Sequence, residues 1–480
     1  MSDRQEAGTS TAFVDAAVGI VGDRHVLTEA DATAAYTLDW TRRWSGPTAA
    51  VVRPGSTAEV AEVVAAARAH SVALVPQGGN TGLVGGSVPH GGEAVLSLRR
   101  LDRIEPVDRL AGQVTVGAGV PLSRLQAQAA DDGLFFAVDL GARDSATVGG
   151  MIATNAGGLH VVRHGAMRAH VVGIEAVLGS GETISRLSGL VKDNTGYDLA
   201  QLLCGSEGTL GVVTRARLKL LPAPGAMVVA MLALPSMAAA VDLAADLRRR
   251  LPGVRALEVM AGDSVRRVAG HLDVPPPVEA DAASFLLVEV EGAEDPTEAL
   301  AAALGEATQS RDRGEPLDAA VATSRAEATR LWRFREAHPE AAASIAAERH
   351  GVVHKLDVTL PTAKLAEFCD EMVATIERRW PGSVTLVYGH VGDGNVHVNV
   401  IEADAGTSDG PQGTLDEAID DAVLAAVVER GGSISAEHGI GVAKKRWLVR
   451  NRSAGEVAAM RAVKRALDPD GILNPNVLLP

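Results

Sequence analysis

Ala49–Arg53 is apolar and β-rich up to its closing arginine, and a turn follows at Pro54–Ser56. From Thr57 to Ala69 the apolar positions recur at helical spacing behind a Ser/Thr cap, and Val72–Val75 is again an apolar run of strand length. This succession predicts a strand, a helix and a strand, a β-α-β unit. Short strands are expected again near Ala94–Leu98 and Gln113–Val116, with glycine recurring densely from Gly78 to about Gly211. Such density marks backbone that turns tightly or approaches a ligand closely. Leu221–Gly225, LPAPG, reads as a connector. Beyond it, a strand at Ala226–Leu234, a helix at Ser236–Leu251 and a strand at Val254–Met260 predict an α+β domain with an antiparallel sheet. Asp273–Ala283 is proline-rich and acidic, hence a surface loop. Glu298–Ala307 and Ala326–Glu348 carry helical, alanine-rich patterns. The zone from Leu415 to Pro480 is mainly helical and closes on an extended tail, LDPDGILNPNVLLP.

The longest apolar stretch, Ala226–Leu234, is cut by Pro235 and Ser236, short of the roughly 18 residues a membrane span needs. A chain of 480 residues suggests about two to four domains. Its 46% hydrophobic and 22% charged residues are those of a globular protein. The formal charge of −15 repels a nucleic-acid backbone, so an anionic substrate requires a local basic pocket. Two distant cysteines, Cys204 and Cys369, exclude a disulfide scaffold, a zinc ribbon and an iron–sulfur cluster. With an N-terminal MSDRQEAGTSTAF that lacks a signal-peptide pattern, they point to the reducing cytoplasm.

Two short segments carry candidate chemistry: Tyr388–Asn399, YGHVGDGNVHVN, and Ser435–Gly441, SAEHGIG. His390 and His397 flank a V-G-D-G-N turn and can converge across a tight connection between two strands. Two imidazoles and one carboxylate, Glu437, form a donor set for a catalytic divalent metal. His438, next to Glu437, is then free to act as a base. The alternative is that these are ordinary polar loop residues. Three glycine-rich segments, Pro76–Gly86, Asp139–Gly158 and Cys204–Val213, could present successive backbone N–H groups to an extended anion or dinucleotide. None is a Walker loop or a G-x-G-x-x-G, so an ordinary nicotinamide domain is not supported.

PQGGNTG, VGGMIATNAGG, VKDNTGYDL with CGSEGTLGVVT, GHVGDGNVHVN, AEHGIG and LNPNVL, in that order, resemble the FAD-linked oxidases of the vanillyl-alcohol oxidase type. The likeness runs from about Trp40 to the end and is nearest to the D-2-hydroxyglutarate and D-lactate dehydrogenases. It implies an α+β fold: a segment over residues 1–44, a two-subdomain PCMH-type FAD-binding domain over 45–222, an antiparallel-sheet substrate (cap) domain over 223–430, and a helical C-terminal segment over 431–480 that returns to the flavin. Pro76, Gln77, Gly78, Gly79, Asn80, Thr81 and Gly82 would hold the pyrophosphate, with Gly85, Gly86 and Ser87 continuing that cradle. Asp139, Thr147, Gly149, Gly150, Thr154, Asn155 and Gly157 would line the rest of the dinucleotide. Glu207, Gly208, Gly211 and Val212 would do the same, and Asn476 would close over the flavin. The first loop lacks the histidine through which many members bind flavin covalently, so non-covalent FAD is implied.

The same resemblance puts zinc or manganese on His390, His397 and Glu437, and gives Arg335 (in LWRFRE) and Lys355 (in VVHKLDVTLP) to the substrate. Asn399, one strand period from His397, is expected on the same sheet face within reach of the substrate, and His438 is the expected base. The implied reaction oxidises a D-2-hydroxyacid to the 2-oxoacid, with hydride passing to flavin N5 and reoxidation by an electron-transfer flavoprotein, a quinone, a cytochrome or dioxygen. A homodimer is left open. D-2-hydroxyglutarate is the expected substrate, with D-lactate or glycolate as the alternative, because the family's R-E-x-x-T reads Arg335-Glu336-Ala337-His338-Pro339 here. A zinc hydrolase and a non-catalytic flavin sensor are the readings from other classes.

Overall fold

The computed structural model describes residues 2–279, 281–309, 316–402 and 417–480. Positions 415 and 416, at the start of the helical C-terminal zone, lie outside them. The chain divides into two units, one of Met1–Gly158, Gly165–Ala223 and Glu437–Pro480, the other of Leu159–His164 and Pro224–Ala436.

In the first unit the strand-helix-strand succession forms, but its strands are not neighbours. Ala94–Ser97 lies between Val51–Val52 and Leu74–Gln77 and pairs in parallel with both. Ser56 Oγ accepts from Glu59 N–H and starts the helix Thr57–Ala69, whose Val60, Val63, Val64 and Ala67 recur along one buried face. They pack with Leu74 and Leu96. A second, antiparallel sheet runs Gln113–Gly117, Gly211–Lys219, Val171–Leu178, Thr183–Ser185. The C-terminal tail completes the first core. Leu74 N–H donates to Ile472 O at 2.7 Å, and Ile472 and Leu473 are buried in the cluster that holds Val60 and Leu96.

The second unit is built on seven antiparallel strands in the order Asp318–Val321, Ala226–Leu234, Ser284–Gly292, Val254–Ala261, Val384–His390, Asn395–Ile401, Val353–Thr359. Alternate residues Met231, Phe285, Leu287, Met260, Leu386 and Tyr388 pack in one cluster with residues of the helices Gly262–Leu272, Arg325–Glu336 and His338–Glu348. The single helix expected over Ala326–Glu348 is in fact two. Pro339 brings no N–H and its ring cannot accommodate the carbonyl four residues earlier, so one helix ends at Glu336 and the next begins with the proline in its first turn.

His354, fully buried on Val353–Thr359, is gripped from both sides. Its Nδ1 lies 2.7 Å from Asp420 Oδ1 on the helix Glu417–Glu429 and its Nε2 3.0 Å from Glu402 Oε1. Burial alone lowers an imidazole's pKa, but the two carboxylates outweigh it and hold His354 above its ordinary 6.5. The extra proton affinity belongs to the folded state. Its stabilisation is therefore complete below pH 6.5 and disappears as pH rises through the raised value. The melting temperature of the parent chain should exceed that of His354→Gln most in mild acid, and the gap should close in alkali; a gap independent of pH would refute the charged form.

Candidate active site

Antiparallel pairing and two-residue alternation put the chemistry of the second unit on the helix-covered face that carries Tyr388 and Met260. Across four neighbouring strands the register sets Glu258 opposite His390, His397 between Tyr388 and Asp357, and Asn399 opposite Lys355. The turn between Val384–His390 and Asn395–Ile401 brings His390 and His397 together as the spacing predicts. Their ring centroids are 5.4 Å apart, with one nitrogen of each within 4.8 Å of the other's.

Glu258, which no motif marks, organises one end of this row. Its Oε1 lies 2.7 Å from His390 Nδ1, and its Oε2 accepts from Arg335 Nε at 2.5 Å. Arg335 Nη2 donates toward His390 Nε2 at 3.4 Å, and the guanidinium lies over the Tyr388 ring at 4.7 Å. Glu258, Arg335 and His390 are all buried. Burial pushes the Glu258 carboxyl up, but His390 and Arg335 together hold it below its ordinary range. The carboxylate holds the His390 ring in place through Nδ1, the outer partner that metal-binding histidines use. His397 is similarly backed: its Nδ1 is 3.6 Å from Asp357 Oδ1, which also accepts from Asn395 Nδ2 at 2.8 Å. The chemistry of these donors fits a divalent metal. Asn399 Nδ2 donates to Tyr388 Oη at 3.0 Å, and burial keeps the Tyr388 phenol protonated. His338 stacks on the same ring at 4.4 Å, and burial, with help from Arg335, lowers its pKa to about 3.

The glycine-rich loops lie in the first unit, where Gly78 sits so close to Thr147 that a Cβ there would meet Thr147 Oγ1 at 2.1 Å. Gln77 Nε2 donates to Tyr36 O at 2.9 Å and Ser87 O at 2.7 Å. This turns Gln77 Oε1 the other way, and it and Thr147 Oγ1 are buried without partners among the described residues. A dinucleotide offers both phosphate acceptors and hydroxyl donors, so the loop fits FAD. Asn80 adopts φ 58° and accepts at Oδ1 from Ser87 Oγ at 2.9 Å, and Asn155 ends the helix Val148–Thr154 at φ 49°. Asp139 is paired with Arg143 at 3.2 Å. Asn476 pairs its side chain with Glu93. Asn474, two residues earlier in LNPNVL, donates to Gly86 O at 2.8 Å and Glu207 O at 2.9 Å.

Glu437 and His438 open the returning segment of this first unit, directly after Ala436, whose N–H donates to Asp357 O at 3.4 Å within the second. Glu437 Oε1 accepts from Gly158 N–H at 2.7 Å. Glu207 accepts at Oε1 from Ile440 N–H at 2.8 Å and at Oε2 from Gly441 N–H at 2.7 Å. Its burial outweighs these amides and Lys444, leaving the carboxyl above its usual range.

Two family profiles match this chain, an FAD binding domain over residues 48–186 and the C-terminal domain of FAD linked oxidases over 223–478. The chain belongs to the FAD-linked oxidases. Within them it is closely related to the D-2-hydroxyglutarate dehydrogenases. The enzyme of that name from Xanthomonas citri pv. viticola is 39% identical over 92% of each chain. The mitochondrial one from Bos taurus is 36% identical over 95% of this chain and 81% of its own. p-Cresol methylhydroxylase, solved with substrate bound, superposes with a TM-score of 0.77 at 16% identity over 98% of this chain and 96% of its own, which shows the fold. The PCMH-type fold and oxidoreductase class implied by the motifs are thereby shown, and a hydrolase has no use for the FAD domain.

The cytoplasmic expectation is corrected: relatives such as those of Bos taurus and Arabidopsis thaliana are mitochondrial enzymes. The physical reason is that cysteine scarcity reports a reducing milieu, which the cytoplasm does not monopolise. No helix among the described residues is long and apolar enough to cross a membrane.

Proposed function

We propose that this FAD-linked oxidase converts a D-2-hydroxyacid, foremost D-2-hydroxyglutarate, to the 2-oxoacid. The observation that carries this reading is the paired His390 and His397 beside the Glu258–Arg335 ion pair on one sheet face. Polarising a hydroxyl and receiving a carboxylate are what oxidation of a hydroxyacid requires.

Bound FAD supplies the hydride acceptor for the hydrogen leaving C2. A divalent ion, zinc or manganese, held by His390, His397 and Glu437, would stabilise the developing alkoxide charge. His438 takes the hydroxyl proton, and Lys355 and Arg335 offset the substrate's carboxylate charge in a chain of net charge −15. Asn399, steadied by Tyr388, orients the substrate. Glu258 keeps Arg335 and His390 facing the same place. Pro339, in the first turn of the helix His338–Glu348, stands where the family's threonine offers a hydroxyl, which makes the shorter D-lactate the second reading.

Anaerobic titration decides the substrate. D-2-hydroxyglutarate should bleach the flavin, D-lactate more slowly and the L-enantiomers not at all; a flavin untouched by every D-2-hydroxyacid refutes the proposal. Acid precipitation should leave the yellow chromophore in the supernatant, because the PQGGNTG loop has no histidine to bond it; colour in the pellet would show covalent attachment. Chelation should slow substrate oxidation by at least about tenfold, as loss of a Lewis acid does, while flavin stays bound. Full activity in protein shown metal-free by elemental analysis would dismiss the ion.

A further inference from the structure

Within the first unit, the turn that carries His438 is clamped at both ends by carboxylates, the half-buried Glu437 and the buried Glu207. On one side, Glu437 Oε1 accepts from Gly158 N–H, and a Cβ on neighbouring Gly157 would lie 2.2 Å from that oxygen. On the other, both oxygens of Glu207 are spent on consecutive amides, Ile440 and Gly441, at 2.8 and 2.7 Å. Two successive N–H groups converging on one carboxylate form an anion nest, and without the carboxylate both amides lose their acceptor. The anion is itself held unusually. Glu207 occupies φ 52°, a left-handed conformation costly for a residue with a side chain, and its carbonyl is fastened by Asn474 Nδ2 at 2.9 Å. Gly439, at φ 84°, passes so near that a Cβ there would sit 2.9 Å from Glu207 Oε1. No hydroxyl, water or charge of the substrate is needed to explain this arrangement.

We propose that Glu207 is a positioning residue: it acts through the Ile440 and Gly441 amides to fix the His438-Gly439 turn, and so the base, against the flavin-side loop. The inference rests on the reading of His438 as the proton acceptor. Because Glu207 lies between Ser206 and Gly208 in the loop that resembles the FAD-contacting segment, its backbone serves the cofactor side and its carboxylate the base side. Order in one is thereby imposed on the other.

The test uses the FAD-loaded full chain. In Glu207→Gln one oxygen becomes an NH2 that faces an N–H, so one nest bond is lost and two donors oppose each other. Hydrogen exchange of the peptide spanning residues 438–442 should quicken by about tenfold or more, with exchange elsewhere unchanged. The limiting rate of flavin reduction should fall about 10- to 100-fold, the cost of a base held slightly out of place, while the substrate dissociation constant stays the same. Gly439→Ala, which crowds the carboxylate from the opposite side and keeps Glu207, should reproduce both effects and guards against a Glu207 variant that does not fold. His438→Ala should slow reduction without quickening exchange. Unchanged exchange and rate in Glu207→Gln overturn the proposal, as does loss of FAD with exchange unchanged, which would make the carboxylate a cofactor contact. Faster exchange with an undiminished rate in both Glu207→Gln and His438→Ala would sustain the clamp and remove the base reading instead.

Discussion

Arg335→Ala will cost the protein about 3–5 kcal/mol of stability, more than loss of an exposed carboxylate-binding side chain could explain. Arg335 is buried, its Nε is bonded to Glu258 at 2.5 Å, and its guanidinium covers the Tyr388 ring. Removing it strands a buried carboxylate that keeps His390 as partner among the described residues, and opens a cavity against the ring. Glu258→Ala should cost a similar amount for the mirror reason, since Arg335 is then the uncompensated charge. The two losses share one cause, so the double variant should be clearly more stable than their sum predicts. Denaturant unfolding of the two single variants and the double variant, compared with the parent, provides the measurement. Strict additivity, or single losses below about 1 kcal/mol, would show that the pair behaves like an exposed one. The substrate-affinity loss expected of Arg335→Ala must therefore be measured on protein demonstrably folded.

That double duty of Arg335 marks where sequence reading stops. The helix Thr57–Ala69 and the strand Ala226–Leu234 form with the expected bounds, because local periodicity and a serine cap decide them. The convergence of His390 and His397 is equally local: two strands, a tight turn and a register. Glu258 is invisible by the same standard. It lies 132 positions before His390, between the apolar Leu257 and Val259, and only the sheet order sets it opposite that histidine. Strand order is also what separates Val51–Val52 from Leu74–Gln77, which sequence proximity alone would pair. The carboxylate of Glu207 shows the complementary failure. Its motif reads as cofactor-facing, yet both oxygens hold amides more than 230 residues away, a use that no spacing encodes. Asn474 in the tail is a third such case, since its two acceptors, Gly86 and Glu207, come from separate loops.

His438→Ala should lower the rate of flavin reduction by about 10² to 10⁴, the usual range for a positioned proton acceptor. The expectation follows from the division of labour around it. Glu437 is tied through Oε1 to Gly158 N–H and is read as a ligand, while Ile440 and Gly441 are committed to Glu207. Among the residues of that turn, His438 carries the side chain whose ordinary pKa suits accepting a proton near neutrality. Stopped-flow reduction across substrate concentrations separates its role from that of Lys355. Loss of a base lowers the limiting rate and leaves substrate affinity, whereas Lys355→Ala, which removes a contact made equally in the ground and transition states, weakens affinity and leaves the limiting rate. Metal content measured on the same His438→Ala sample completes the test, because a base can be removed with the ion retained. If the variant instead loses its metal and recovers near-normal reduction once metal is restored, His438 is a ligand or scaffold group, and the hydroxyl proton must leave by another route.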